Sequence, residues 1–568
     1  MSDLYIPVAV VFSCGVAFAN DSSGGTVNDL TSQSEDFRKQ SKLSEPRPVD
    51  KPIIVTQEES EAAPQSDEGP KFLVREILLE GNHIYSNNEL LPYLTSNLNQ
   101  NLSVSDLKRV AMSITTHYRS HGFSTSRAYV PPQKIENGIA AIKIVEAKVG
   151  KIIVEGNRLF PSSSYEEALH FRSDRAFNYN DLEKSLYELN QSPMRKAKAY
   201  ILPGVEPLTS DIVLKTQEQN PLYVFYDFNN RGTKLTHRAR NGAGFVHSNI
   251  THHEDTLAIN ASFAEENAFD GGSLYYSFPL KKTGTTLSLQ TSYSETLAVK
   301  HFKPLNIEGE SLALVPEISQ EILRKPNYKL DASIAFEYKD SKTTINKIKS
   351  SLDRMRVVNA GLRMQFMDNG GQTSVASNIH RGIPNIIGGL KENDSDASRT
   401  NSGGDFTYYT GNISRVQKLP WSSFLTLKAG GQWTADTLTS LETYRLGGAF
   451  SVRGYPEANS FGDYGYEFSS ELSIPASFVP EKMNVVFTNK KIRDTLRVVG
   501  FLDGGQVFLR ERELPADEKS KFLLGAGFGI RLDLGRACYL QADMGWPIGD
   551  DSSDENQRQV HLWLRSGF

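Results

Sequence analysis

The sequence has few cysteines and no apolar segment long enough to be a membrane helix. Its 568 residues include two cysteines; 39% are hydrophobic and 23% charged. Two cysteines cannot build a disulfide scaffold. Because a helical span needs about 20 consecutive apolar residues, the sequence excludes a helical membrane bundle. It does not exclude a membrane β-barrel, since alternating strands cross a bilayer with an ordinary composition.

The chain also lacks an excess of positive charge. It carries 62 Lys and Arg against 67 Asp and Glu, a formal net charge of -5. Proteins that bind nucleic acid usually show a basic excess, so we expect no nucleic-acid partner. The length suffices for two to four domains with sizeable cores.

The N-terminus resembles an export signal. Ile6–Ala19 is apolar but too short to span a membrane, and it ends in the cleavage pattern Ala17-Phe18-Ala19. We therefore predict a signal peptide at residues 1–19, although the segment before Ile6 has no basic residue. Cleavage would leave Cys538 as the single cysteine, so no intrachain disulfide is expected.

Residues 20–70 form a polar N-terminal extension with a Pro-rich linker. Such a composition cannot bury enough apolar surface to fold alone. Within it, residues 29–42 lack Pro and Gly and are compatible with one short amphipathic helix. A disordered tail fits the same pattern equally well.

A repeat follows the extension. A β-rich run ending at Glu80-Gly81-Asn82 is repeated at Glu155-Gly156-Asn157. Each copy continues with two helical segments and two strands, which predicts two βααββ modules at 71–148 and 149–219. In the first module the second helix is predicted to begin at Ser103, in a capping box, and to run to Gly122.

Residues 220–568 alternate in hydrophobicity with period two. Three clear examples are residues 286–293, 330–338 and 522–534. A soluble sandwich also alternates. About a dozen such segments without an intervening helix, behind an export signal, instead favour a transmembrane β-barrel. The fold class is thus α+β modules followed by an all-β domain.

The sequence contains no recognisable catalytic template. It has no G-x-S-x-G, Walker A, H-E-x-x-H or C-x-x-C motif, so we expect no enzyme activity and no cofactor.

His117 and His121 are spaced to share a metal, but no third ligand is evident, and we expect no metal site. His252 and His253 fall in a turn, and we expect no metal site there either. Gly525–Gly529 is expected to be barrel wall with its glycines facing the lumen.

Two short motifs near the C-terminus are the strongest functional candidates. Val452, Arg453, Gly454 and Tyr455 lie within a long loop, and Phe501, Asp503 and Gly505 follow about fifty residues later. Alternation over residues 498–503 places Asp503 on the inner face of its strand. A buried aspartate requires a cation, which Arg453 could supply; two separately solvated charges are the alternative.

In this order, the motifs and the repeat resemble those of the TpsB-type two-partner secretion transporters, the haemolysin secretion/activation family. This family belongs to the superfamily of barrels that carry POTRA modules. The resemblance implies a barrel of 16 strands in the outer membrane of a Gram-negative bacterium, with loop 445–466 folded into the lumen and Arg453 locked on Asp503. It also implies a plug helix at residues 29–42.

The implied function is export of one partner protein. The POTRA modules would capture an extended β-rich exoprotein in the periplasm, and the monomeric barrel would pass it outward without ATP. Whether the exoprotein is also activated stays open. The other implied contacts are outer-membrane lipid and the barrel assembly machinery, which would read the C-terminal Phe568. A barrel insertase of the same superfamily is the alternative function.

Overall fold

The structure is a computed structural model that describes most of the chain from residue 54 onward. The described residues are 54–56, 70–169, 176–190, 192, 194–280, 283–325, 327–485, 490–510, 519–549 and 558–568. The predicted signal peptide and the predicted helix at 29–42 lie outside these residues. Among the described residues, no helix combines the length and apolar character needed to cross a membrane. The chain divides into two compact units, one of which contains residues 49–220 and the other residues 221–568.

The first module is built around one amphipathic helix. Its elements are β2 (Phe72–Val74), β3 (Glu76–Glu80), α1 (Asn87–Leu90), α2 (Pro92–Thr95), β4 (Gln100–Leu102), α3 (Val104–Ser120), β5 (Arg127–Tyr129) and β6 (Ile139–Val145). In the three-stranded sheet, β6 lies between β3, to which it is parallel, and β5, to which it is antiparallel. Helix α3 begins after Ser103, whose backbone N–H and side chain both bond Asp106. Its apolar face is buried against this sheet.

The second module repeats this plan. Its elements are β7 (Lys148–Glu155), α4 (Ser162–Glu166), a 3₁₀ helix (Glu167–Leu169), α5 (Tyr179–Leu189), β8 (Arg195–Pro203) and β9 (Thr209–Glu218). Strand β9 is parallel to β7 and antiparallel to β8. A further strand, β1 (Ile54–Thr56), comes from the predicted linker and pairs in parallel with β8. The composition of the linker did not indicate this strand.

The repeated Glu-Gly-Asn turn has the same structure in both modules. Gly81 and Gly156 adopt φ values of +89° and +87°, which L side chains rarely adopt. The amide groups of Asn82 and Asn157 each donate to a backbone carbonyl three residues later. One half-buried glutamate per module then accepts backbone N–H groups of the loop after this turn: Glu146 from Ile84, and Glu218 from residues 158–160. The two modules therefore share a turn as well as a topology.

The rest of the chain forms a closed antiparallel barrel of 16 strands, as the resemblance implied. The barrel strands are β10 (Leu222–Asn229), β11 (Arg240–His247), β12 (Thr256–Phe263), β13 (Phe269–Leu280), β14 (Thr285–Leu297), β15 (Ile307–Lys325), β16 (Tyr328–Ile345), β17 (Ile348–Asp368), β18 (Gly371–Gly382), β19 (Thr407–Leu419), β20 (Ser423–Thr434), β23 (Tyr464–Pro475), β24 (Leu496–Phe508), β25 (Ser520–Asp533), β26 (Cys538–Pro547) and β27 (Gln559–Gly567). One further short helix, α6 (Ile492–Thr495), precedes β24.

Alternation along the strands separates an apolar outer face from a more polar lumen. In β14, Leu287, Leu289 and Tyr293 are exposed on the outside, as period two predicts. In β25, Phe522 and Phe528 point outward, whereas Gly525 and Gly529 are buried on the inner face. The glycines of Gly525–Gly529 thus face the lumen, as expected.

The barrel closes between its first and last strands. Strands β10 and β27 are antiparallel and pair over residues 225–229 and 563–567. Phe568 follows this pairing: its backbone N–H donates to Val224 and its carbonyl accepts from Val224, while its side chain is exposed. The last residue of the chain therefore completes the seam.

Candidate functional site

The long loop between β20 and β23 is folded into the barrel. It contains a 3₁₀ turn (Ser440–Glu442) and a hairpin of two short strands, β21 (Tyr444–Leu446) and β22 (Ser460–Gly462). Leu446, Val452 and Tyr455 of this hairpin are buried with Val507 and Leu523 of the wall. We call residues 435–463 the lumen loop and residues 452–455 its tip.

Arg453 at the tip is paired with Asp503 of β24. Its Nε lies 2.6 Å from Oδ2 of Asp503, its Nη2 lies 3.0 Å from Oδ1, and its backbone N–H also donates to Oδ2 at 3.2 Å. Arg453 is 5% exposed and Asp503 is fully buried. Two parallel charge-assisted bonds fix both position and orientation. The structure therefore brings together the two charges that the sequence analysis paired, on the inner face where alternation placed Asp503.

Two further carboxylates and a second arginine complete this cluster. Nη1 of Arg453 donates to Glu471 of β23 at 2.5 Å and lies 3.7 Å from Asp543 of β26. Arg531 of β25 bonds Asp543 and Glu471. The cluster thus ties the tip to four consecutive strands. Sequence reasoning missed Glu471, Asp543 and Arg531; period two places them on the inner face, but only the strand register shows that they converge.

The tip fits closely against the barrel wall because the wall residues facing it are glycines. A Cβ at Gly525 would lie 1.9 Å from the carbonyl oxygen of Arg453, and one at Gly545 would lie 2.6 Å from the backbone nitrogen of Gly454. Gly454 itself has φ = +105°, a conformation that favours glycine. The glycine-rich wall therefore makes room for the backbone of the tip.

The remaining predicted motif residues lie around the same contact. The guanidinium of Arg453 sits 3.6 Å from the ring centroid of Phe501, a distance typical of a cation–π contact. Gly505 faces Leu446 of the loop, whose side chain would lie 3.0 Å from an added Cβ. Tyr455 is buried beside Val452. Phe568, in contrast, lies at the seam and is not part of this cluster.

The histidines considered in the sequence lie elsewhere. The rings of His117 and His121 are 4.4 Å apart on α3, and Nδ1 of His117 is 2.9 Å from the hydroxyl of Tyr93. Burial, and then the neighbouring His121, lower the pKa of His117. His253 is exposed in its turn. In the part of the chain that the structure describes, no three His, Cys, Asp or Glu side chains are grouped to hold a metal ion.

A model of the haemolysin secretion/activation proteins ShlB/FhaC/HecB matches residues 209–532, more than half of the chain. The chain belongs to this family. A ShlB-type POTRA domain model also matches residues 72–147.

Individual relatives agree with this assignment. The chain is 22% identical over 497 residues to the heme/hemopexin transporter protein HuxB of Haemophilus influenzae, covering 86% of this chain and 85% of the relative. It is 24% identical over 489 residues to the outer membrane transporter CdiB of Dickeya dadantii, covering 85% and 84%. The solved structure of CdiB from Escherichia coli superposes with a TM-score of 0.64 at 20% identity, covering 95% and 97%, and shares the fold.

Membership of the family places the protein in the outer membrane, with its POTRA modules in the periplasm. It also makes the protein a two-partner secretion transporter, a class whose members work with secreted exoproteins. The match favours this function over that of a barrel insertase.

Proposed function

We propose that the protein captures an unfolded β-rich exoprotein through its POTRA modules and releases it outward through the barrel, whose lumen loop is locked at rest by Arg453. The buried contact between Arg453 and Asp503 is the observation that carries this proposal. A buried ion pair stabilises a fold little compared with apolar packing of the same volume. An ion pair at the tip of a loop therefore suits a contact that is broken and remade during transport.

Strand addition in the second module supports the proposed mode of capture. Residues 54–56 lie alongside β8 and pair with residues 199–201 in parallel register. The edge of this sheet thus accepts an extended segment through backbone hydrogen bonds, and backbone pairing suits a substrate that is recognised before it folds. An exoprotein strand would bind in the same way at an edge of a POTRA sheet.

The proposed transport needs no catalytic chemistry and no nucleotide. The sequence holds no Walker A motif. Folding of the exoprotein on the outer side would draw the chain through the barrel.

Reconstitution tests the proposal. The purified protein is inserted into liposomes, its partner exoprotein is added unfolded, and protection of the exoprotein from external protease is measured without ATP. We expect protection of this exoprotein and none of an unrelated β-rich protein unfolded in the same way. Equal protection of both proteins, or of neither, would contradict the proposal.

A further inference from the structure

A second group of buried charges lies at the base of the lumen loop, away from its tip. Nζ of Lys339, on β16, lies 2.8 Å from Glu337 of the same strand and 2.5 Å from Glu442 of the loop. The side chain of Lys339 is 3% exposed, and those of both glutamates are fully buried. A lysine is almost never buried this deeply unless it is paired.

The wall on this side supplies several more contacts. The amide of Asn359 donates to Glu337, and Nδ1 of His380 is 3.4 Å from the same carboxylate. The hydroxyl of Tyr408 donates to the second oxygen of Glu442 at 2.9 Å. The amide of Gln432 donates to the backbone carbonyl of Glu442. Five consecutive strands, β16 to β20, thus contribute to the group.

The loop is therefore bonded to two different arcs of the barrel. Glu442 lies two residues before β21 and is held by β16, β19 and β20. Arg453, eleven residues later, is held by β23 and β24 and lies near β26. The tip and the base share no bonding partner among these residues. Loss of one anchor therefore does not in itself break the other.

We propose that Lys339 is a positioning residue that anchors the base of the lumen loop to the wall, independently of the Arg453 contact. The proposal rests on the proposed function, in which the lumen loop is locked inside the barrel at rest. The anchor holds the base while the tip leaves Asp503, so that the tip returns to the same seat after transport. Without it, the whole loop is displaced more easily and the channel stays open longer.

A purely structural role makes a different prediction. If Lys339 only neutralises Glu337 within the wall, removing the charge of Glu442 should leave the channel unaffected. If Lys339 anchors the loop, Lys339→Met and Glu442→Gln should both open it. Glu442→Gln also covers the case in which Lys339→Met fails to assemble, because the changed residue lies in the loop and not in a barrel strand.

Single-channel recording of the purified full chain in planar bilayers tests the anchor, with heat-modifiable migration as the check on barrel assembly. We expect Lys339→Met and Glu442→Gln to raise the fraction of time spent open by roughly fivefold or more. Lys329→Met is the matched control: Lys329 lies ten residues away on the same face of β16, in a more exposed pair with Asp331. This control should behave like the wild type.

Combination with Arg453→Lys tests independence. Two separate anchors predict that the fold-changes in opening multiply in the double variant Arg453→Lys/Lys339→Met. A double variant no more open than either single variant would overturn the proposal, as would assembled Lys339→Met or Glu442→Gln channels with wild-type opening. Failure of the anchor would leave exoprotein protection in the liposome experiment unchanged, so the two proposals fail separately.

Discussion

Arginine at position 453 provides two properties that other cations lack. Its planar fork matches both oxygens of Asp503, and its third nitrogen reaches Glu471. Its face also lies against Phe501. A lysine would keep the charge but make one of these bonds at a time, so the contact should depend on the guanidinium group and not on charge alone.

The contact between the tip and the barrel wall should be as sensitive to a change in side-chain size as to a change in charge. We predict that Gly525→Ala displaces the tip, because the new Cβ would overlap the carbonyl oxygen of Arg453, and that it raises channel opening by roughly tenfold, as expected for an overpacked contact. Gly500→Ala on the neighbouring strand is the control, since no atom lies within 4 Å of its added Cβ. Equal channel opening in the two variants would show that the backbone of the tip does not need the space that Gly525 leaves.

At the scale of single elements, the helices followed their local signals closely. The capping box predicted the start of α3 at Ser103, and the structure has this residue as the N-cap. Leu107, Val110, Ile114 and Tyr118, which the helical period places on one face, are all buried. Local hydrogen bonding and the helical period are sufficient here because neither depends on distant parts of the chain.

The cap of α3 offers a direct test of local stability. We predict that Ser103→Ala removes the side-chain contacts with Asp106, costs the helix about 1 kcal/mol and speeds hydrogen exchange in its first turn roughly fivefold. Ser113→Ala is the control, since this hydroxyl is exposed on the same helix and bonds only to the carbonyl of Arg109. Similar exchange in both variants would mean that the cap contributes little.

The half-buried imidazole of His117 on α3 predicts a pH dependence of the first module. The pKa of His117 is lowered from its ordinary value of 6.5, so the unfolded module binds this proton more readily than the folded one. The resulting stability is present above about pH 6.5 and is lost as the pH falls through the lower folded pKa.

Hydrogen exchange of α3 in the full chain measures this effect. Protection should fall by on the order of a few-fold between pH 7.5 and pH 5.5, and His117→Gln should flatten the dependence. His83→Gln, which changes an exposed histidine of the same module, should keep it. If His117→Gln keeps the full pH dependence of protection, another titratable group causes that dependence.

The strands were predictable as strands, but their partners were not. Period two placed Asp503 on the inner face correctly, and the same rule would place Glu471 and Asp543 there. Which inward residues become neighbours depends on register across several strand pairs, a non-local property that one sequence does not specify. The sequence therefore predicted only part of the charge cluster at Arg453 and none of the group at Lys339. Strand β1 was missed because its partner lies far along the chain.

For the whole molecule, an even number of antiparallel strands makes the barrel start and finish at the same end. Strand β10 pairs with β27, and the backbone of Phe568 completes the seam. A closed barrel leaves no strand edge open to lipid. Inside the barrel, the lumen loop extends from the arc around Lys339 to the arc around Asp503.

Export of the partner exoprotein by the Arg453→Ala variant in cells tests most directly whether the lumen loop controls transport. Assembly is confirmed by heat-modifiable migration, and Arg415→Ala, which breaks a more exposed wall pair with Asp368, is the control. Removing one partner of a buried ion pair typically costs about 3–5 kcal/mol, enough to unseat the tip. We expect the assembled Arg453→Ala barrel to export less than about a tenth of the wild-type amount, with Arg415→Ala unaffected. Wild-type export by assembled Arg453→Ala would contradict the lock.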